Sequence, residues 1–366
     1  IIGLPTPTSY NSRAKNNLEI HMNKTIVGVD LAKKVIQVCI YTNRKVRSNS
    51  EMTPMEFTYW LVNSRPATIV FEACGTSNYW KQLASSYGHD ARLISSRLVA
   101  VVRQNQKTDK NDALAIVQAS LLPDVNFIQG KTAEQQQLQS IIRLRELSIK
   151  QKTASKNQLI ALLSELNIQV SNRNGGLRAT IDETLEDADN SFSSSFRQAI
   201  STAWAQYSSL VDAIDIYDSC LEESLNDHPE CKKLLKIEGV GTLNAVNLYI
   251  ALGCADIGAF SKGKAAAACI GLTPIQHSSG GRAKIGSIGR GFKNTLFRSQ
   301  LITGAMSIVS KVANRPPKTK KEEWLKQLIE RRGKKCAAVA LANKNVRTAF
   351  ALLTKGTEYK AEPLVS

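Results

Sequence analysis

No apolar run among the 366 residues approaches the ~18–20 that a membrane helix needs. The chain also lacks the basic-then-apolar opening of a secretory signal. The cysteines number seven, an odd count with none spaced CxxC, so they build neither a disulfide frame nor a zinc knuckle. Cys39, Cys254 and Cys269 sit among apolar neighbours and read as buried free thiols in a reducing cytoplasm. Zinc fingers and other base-reading motifs are missing too. What is present is an ordinary soluble composition, 43% hydrophobic and 22% charged, which excludes wholesale disorder. The length allows two or three compact domains.

Acidic residues are scarce outside one segment. Against 48 Lys and Arg stand 31 Asp and Glu, a net charge of +17. Asp182 to Glu230 carries 12 acids and one base, Arg197, so the rest of the chain carries +28. Cys231 to Ser366 alone holds 24 basic residues against 7 acidic ones. Each phosphate neutralised by such a surface releases counterions and gains affinity, so a nucleic acid is the expected partner. The acidic segment would be repelled by that ligand and should face away from it or act as a spacer.

Residues 1–21 are polar without a clear period; an ill-ordered extension is expected there, with Met22 as the native start. Strands are expected at Thr25–Asp30, Val35–Tyr41, Ala67–Glu72 and near 91–95. Between them come helices from Thr53, with Glu56 at capping-box spacing, and over 77–87, ending at Gly88. Helices near 97–104 and from about Thr108 follow. This pattern predicts an α/β domain over 22–130. A helical connector over 131–230 holds a long helix at 132–167, with Leu138, Ile142, Ile149, Leu159, Leu162 and Leu166. A break at Asn172–Gly176 ends it. Its second helix carries Phe196, Ile200, Ala203, Tyr207, Leu210, Ile214, Tyr217 and Leu221 at spacings alternating between 4 and 3. That is a coiled-coil seam, from which a dimer or tetramer is expected; packing within its own domain is the alternative. A mainly α domain over 231–366 completes the chain. Pro316-Pro317 break it, and Arg331–Lys335 leads into a last apolar helix at about 336–354.

Four acids stand at strategic places in the first domain. Asp30 ends the first strand, Glu72 ends a central one, and Asp109 and Asp112 lie one helical turn apart in Lys107–Ala113. Converging on one rim, they could not all stay ionised without a cation, which is what a magnesium site supplies. Two hard divalent ions between such carboxylates orient a nucleophile and stabilise the leaving oxygen of a phosphodiester. Singly, each acid reads as a solvated or capping residue, and Asp109 could N-cap its helix.

Ile26-Val-Gly-Val-Asp30-Leu-Ala-Lys33, Phe71-Glu72-Ala-Cys-Gly-Thr-Ser77 and Lys107-Thr-Asp109-Lys-Asn-Asp112-Ala113 resemble the three blocks of the DEDD transposases. These form insertion-sequence family one-ten with its eleven-eleven branch and the Piv-type invertases. The resemblance spans roughly residues 24–350. It implies a RuvC-like, RNase H-type first domain whose four acids bind magnesium. It further implies a recombinase guided by a structured RNA, with a composite site formed between protomers and a phosphoserine intermediate.

In the last domain, Leu235-Lys-Ile-Glu-Gly239-Val-Gly241-Thr-Leu-Asn-Ala245 fits a helix-hairpin-helix. Gly239 and Gly241 would let the backbone approach a DNA phosphate without reading bases. A plain αα-turn with a glycine cap is the alternative. Downstream, Gly271-Leu-Thr-Pro274-Ile-Gln-His277-Ser278-Ser279-Gly280-Gly281-Arg282 reads by itself as a flexible glycine-serine loop. It also resembles the second family block, whose register implies Ser279 as the nucleophile, with Ser278 as the neighbouring choice. Arg282 and Lys284 stand close enough to place positive charge on a phosphodiester. His277 invites a base role but reads more simply as a structural hydrogen-bonder. Two other readings compete: a RuvC-like nuclease using water, and a non-catalytic architectural DNA binder. An actin-like ATPase would need a second phosphate loop, which the sequence lacks. For any of the DNA-acting readings the expected place is the cytoplasm, at the nucleoid.

Overall fold

The computed structural model describes residues 25–171, 175–253, 260, 262–279, 281–289 and 295–364. The extension expected over 1–21, the start at Met22, the Cys254 thiol and residues 172–174 of the expected break lie outside the described residues. The chain divides into two compact units, the first running to Glu134 and the second comprising Gln135–Gly253 and the residues from Lys262 on.

Strands β1 (Ile26–Leu31), β2 (Ile36–Thr42), β3 (Lys45–Met52), β4 (Thr68–Glu72) and β5 (Asp90–Ile94) form one sheet in the order β3-β2-β1-β4-β5. β1, β2 and β3 run antiparallel, while β4 and β5 continue parallel to β1. β3 (KVRSNSEM) is absent from the sequence expectation. As an edge strand it is held by backbone pairing to β2 and largely exposed, so its sequence has no reason to alternate.

Helices α1 (Pro54–Asn63) and α2 (Ser77–Ser86) cover one face. Phe57, Leu61, Trp80 and Ala84 pack there on Val27, Val29, Ile69 and Phe71. The expected capping box is present: Glu56 Oε2 accepts from Thr53 N at 2.7 Å, and Thr53 Oγ1 accepts from Glu56 N at 3.2 Å. Helices α3 (Ser96–Val102) and α4 (Asp109–Ser120) cover the other face, where Val99, Ile116 and Ala119 meet Val70 and Ile94. Side chains alternate along a strand, so Val27 and Val29 face one layer and Gly28 the other. A Cβ on Gly28 would lie 2.3 Å from the Ala113 carbonyl oxygen and 2.7 Å from Val117 Cγ2. The missing side chain is what lets α4 rest directly on β1.

In the second unit, α5 (Ala133–Glu165), α6 (Gly176–Glu186) and α7 (Ser194–Asp227) share a core of Leu159, Leu163, Ile181 and Ile200. Phe196, Ala203 and Tyr207 of the heptad row pack against it. Arg145 Nη2 of α5 donates to Asp218 Oδ2 of α7 at 2.9 Å. Much of the seam is therefore covered by helices of its own chain. α5 buries Leu159 and Leu163; of the expected leucines, Leu162 is half-buried and Leu166 exposed. The helix stops at Glu165, and Asn167 (φ 59°) turns the chain away.

Helices α8 (Pro229–Leu234), α9 (Thr242–Gly253) and α10 (Gly263–Cys269) follow. Next come a hairpin of β6 (Pro274–Ser279) and β7 (Arg282–Ile288), α11 (Thr295–Ala313) and α12 (Lys320–Lys355). α12 bends at Gly333 (φ 79°), within the basic Arg331–Lys335 run. Two expectations need correction here. The glycine-serine stretch is a paired hairpin rather than a loose loop, because β7 supplies its backbone partners. Cys269 is exposed, since α10 buries Ala266 and Ala267 and turns residue 269 outward. Cys39 is buried as expected, and desolvation pushes its thiol up to about 11. Among the described residues no helix is long and apolar enough to cross a membrane.

Candidate active site

The parallel pairing of β1 with β4 sets Val29 beside Phe71, so Asp30 and Glu72, one residue on, leave the same edge of the sheet. α4 starts at this rim. Thr108 is its N-cap, with Oγ1 accepting from Asn111 N at 3.3 Å. Asp109 is thus the first helical residue and not the cap, which leaves its carboxylate without that local task. Asn49 of β3 donates to the Lys110 carbonyl at 2.9 Å and ties the helix start to the sheet. After Glu72, Ser77 Oγ accepts from Cys74 N at 3.1 Å and donates to Cys74 O at 3.0 Å, closing the turn.

The acids are near enough to act on one another's charge. Burial raises the Asp30 carboxyl above its ordinary value, and the charges of Asp112 and Asp109 push it further, with Lys107 opposing. Glu72 is raised likewise by burial, then by Asp30 and Asp112, with Lys107 and Arg103 opposing. Asp112 is buried and accepts a 2.7 Å bond from Nη1 of Arg103, the residue that ends α3.

The donor set is hard carboxylate oxygen throughout, the kind that magnesium or manganese prefers. The mutual repulsion is what a cation would relieve. The spacing is looser than a finished site: among the described residues no three acidic, histidine or cysteine side chains stand close enough to hold one ion. By chemistry the residues fit a divalent cation, with Asp112 engaged elsewhere.

In the second unit the Gly239–Gly241 turn joins α8 to α9, and Gly239 is left-handed (φ +82°). A Cβ on Gly239 would lie 2.7 Å from the Gly304 carbonyl oxygen, and one on Gly304 only 2.2 Å from that of Gly239. Gly239 therefore seats the turn on α11, while Gly241 has open space around its Cβ position. A cavity of about 720 Å³ lies beside the turn, between Thr242 and Asn244 and the α11 residues Ser299 and Thr303. Glu238 underpins the turn. Its carboxylate accepts from Lys321 Nζ and Tyr359 Oη, each at 2.7 Å, and its carbonyl accepts from Asn345 Nδ2 at 2.8 Å.

The hairpin register sets Ser279 opposite Arg282 and His277 opposite Lys284, while Ser278 stands opposite Ala283. His277, Arg282 and Lys284 are exposed. The segment before the hairpin is anchored by Arg298, which donates to Gly271 O at 2.9 Å, and by Asn343, which donates to Leu272 O at 3.0 Å. The four acids thus gather in the first unit, and the glycines, serine and cations belong to the second. Sequence reasoning missed Gly28, Arg103, Glu238 and Gly304. A glycine inside an apolar strand was the one readable signal among them.

An α/β sheet with an acidic rim, joined in one chain to a strongly basic helical unit, defines an enzyme that acts on nucleic acid. The comparisons narrow this. Residues 27–168 match the family model for DEDD transposases of the IS110 type, described as "Transposase". Residues 231–321 match that of the "Transposase IS116/IS110/IS902 family". The chain is 33% identical to the transposase for insertion sequence element IS1111A of Coxiella burnetii over 344 residues, 92% of this chain and 91% of that protein. It is 31% identical to a probable family 20 transposase of Pseudomonas aeruginosa over 345 residues, 93% and 99% of the two chains. A pilin gene-inverting protein of Moraxella lacunata is 24% identical over 278 residues, 71% of this chain and 75% of that protein. The chain belongs to the IS110 family of insertion-sequence transposases, enzymes that act on DNA.

Proposed function

We propose that this transposase cuts and rejoins DNA through Ser279, with the acid rim holding magnesium and a structured RNA choosing the sites. The observation that carries the reading is the placing of Asp30, Glu72, Asp109 and Asp112 at one rim, where Asp30 and Glu72 are raised by burial first and then by neighbouring acids. The mixed sheet with these acids at its carboxyl edge supports the RuvC-like reading. A divalent ion pair on the rim would supply positive charge to the reacting phosphodiester.

The chain's own residues do the rest. Serine Oγ attacks phosphorus; the Oγ–P bond forms as the P–O bond to the leaving strand breaks. The serine proton is lost and the departing oxygen gains one, so the phosphoserine stores the bond for rejoining. Arg282, opposite Ser279 in register, and Lys284 offer charge to the phosphate, which favours Ser279 over Ser278. Gly241 and the start of α9 would grip the DNA backbone as a helix-hairpin-helix, with Gly239 holding the turn in place. Because the phosphate-gripping features read no bases, sequence choice falls to the RNA. Two protomers or more, meeting through what α7 leaves uncovered, would join the acid rim of one to the serine unit of another. The reaction would take place in the cytoplasm at the nucleoid, and the likeness to a pilin gene-inverting protein supports recombination over simple hydrolysis.

The test is a plasmid carrying the element with its native flanks, sequenced for excised-circle and rejoined-flank junctions. Junctions should form with wild type, together with an RNA that copurifies, and vanish with Asp109→Ala and Ser279→Ala. Cleavage that survives Ser279→Ala would make water the nucleophile and the protein a nuclease. Junctions surviving Asp109→Ala would remove the acid rim from the chemistry.

A further inference from the structure

We infer that Arg103 is a positioning residue, a clasp that occupies one carboxylate oxygen of Asp112 until a divalent cation and a DNA phosphate arrive together. The inference rests on the acid-rim reading above. Asp112 has its side chain 8% exposed and that of Arg103 is 23% exposed; Arg103 Nη1 donates to Asp112 Oδ1 at 2.7 Å. The two residues bracket the loop from the end of α3 to the first turn of α4. That loop is itself pinned, by Asn111 Nδ2 to Gln106 O at 2.8 Å and by Asn49 Nδ2 to Lys110 O at 2.9 Å. The clasp is therefore held at both ends by ordered backbone.

The charges that face this pair come from every neighbouring element. Asp30 and Glu72 at the strand ends both feel Asp112, Asp109 acts on Asp30, and Lys107 acts on both strand-end acids. Arg103 lowers the repulsion at Glu72 as well as engaging Asp112. A guanidinium and a lysine from one loop thus balance part of an acidic cluster from within the chain. A cation that took Asp112 Oδ1 as a ligand would compete with Arg103 for it, because that oxygen already accepts from the guanidinium. Breaking a half-buried charged pair is unfavourable unless the released guanidinium finds another anion. A phosphodiester brought to the rim is such an anion, and Arg103 carries the planar donor fork suited to it. Cation binding and DNA binding become coupled through one side chain, and the rim assembles when substrate is present.

The experiment titrates Mn²⁺ into the full-length protein by calorimetry, with and without a short duplex of the element's end, for wild type, Arg103→Gln, Arg103→Lys and Asp112→Asn. With no DNA, Arg103→Gln should bind Mn²⁺ about tenfold more tightly than wild type, the factor expected for losing one charged hydrogen bond that competes with the metal. DNA should tighten Mn²⁺ binding to wild type and leave Arg103→Gln unchanged. Arg103→Lys should return toward wild type in both. A residue that merely supported the fold would weaken metal binding when removed. Equal or weaker Mn²⁺ binding by a folded Arg103→Gln, or unchanged coupling to DNA, overturns the clasp. Mn²⁺ binding that Asp112→Asn leaves untouched means that Asp112 is no ligand and overturns the clasp along with that part of the rim. If Glu72→Gln and Asp30→Asn also bind Mn²⁺ like wild type, it is the four-acid reading that has failed.

Discussion

Glu238 and Asp30 carry the same charge in opposite surroundings. Burial works to raise Glu238, yet the bonds from Lys321 and Tyr359 outweigh it and hold its carboxyl below the ordinary glutamate value. The unfolded chain would thus bind a proton there more readily than the folded one. The stability that Glu238 contributes is complete above the unfolded value of ~4.3 and is lost as pH falls through the lower folded value. Acid unfolding of the second unit should move to higher pH in Glu238→Gln, by circular dichroism, because the native enzyme loses that reserve only in stronger acid. At Asp30 the balance is the reverse: burial and the charges of Asp112 and Asp109 outweigh the Leu31 backbone bond and Lys107. Asp30→Asn removes one member of a repelling set, so without divalent ions its melting temperature should rise by roughly 1–3 °C while DNA joining disappears. A melting temperature that falls would mean that the carboxylates do not repel one another as their shared rim implies.

At the scale of elements, two glycines decide where functional segments lie. Gly28→Ala would drive a methyl group into the Ala113 carbonyl of α4. α4 must then lift from β1 and take Asp109 and Asp112 from Asp30. Denaturant unfolding should show a loss of roughly 2–3 kcal/mol, with a larger fall in joining than stability explains. Gly304→Ala would press on Gly239 in the same way, from a helix with no role in the proposed chemistry. DNA affinity should drop several-fold in a filter-binding assay although residue 304 is not proposed to touch DNA. Unchanged affinity would separate the glycine turn from the DNA grip. The hairpin β6–β7 adds a different lesson. Its backbone pairing sets a serine opposite an arginine, an arrangement that residue spacing alone left as a loop.

For the whole molecule, charge and fold divide the work. The segment from Cys231 on holds most of the surplus positive charge, and the acids that face each other lie in the first unit. DNA binding should therefore weaken by about a hundredfold or more between about 50 and 200 mM salt, with a slope that Asp109→Ala leaves unchanged. Affinity indifferent to salt would contradict a phosphate-led grip. The sequence by itself determined the family, the α/β character of the first unit and the capping box of α1, and it set the four proposed acids at strand ends and a helix start. These are local or linear features: periodicity, capping spacing and motif order persist whatever the chain packs against. Only tertiary structure decided that the polar stretch Lys45–Met52 is a strand, that Gly28 admits α4, and that Gly239 meets Gly304. It also decided that Arg103 engages Asp112 and that much of the α7 seam is covered within its own chain. Each of these depends on a partner that folding brings alongside, and no window along the chain contains both halves of such a contact.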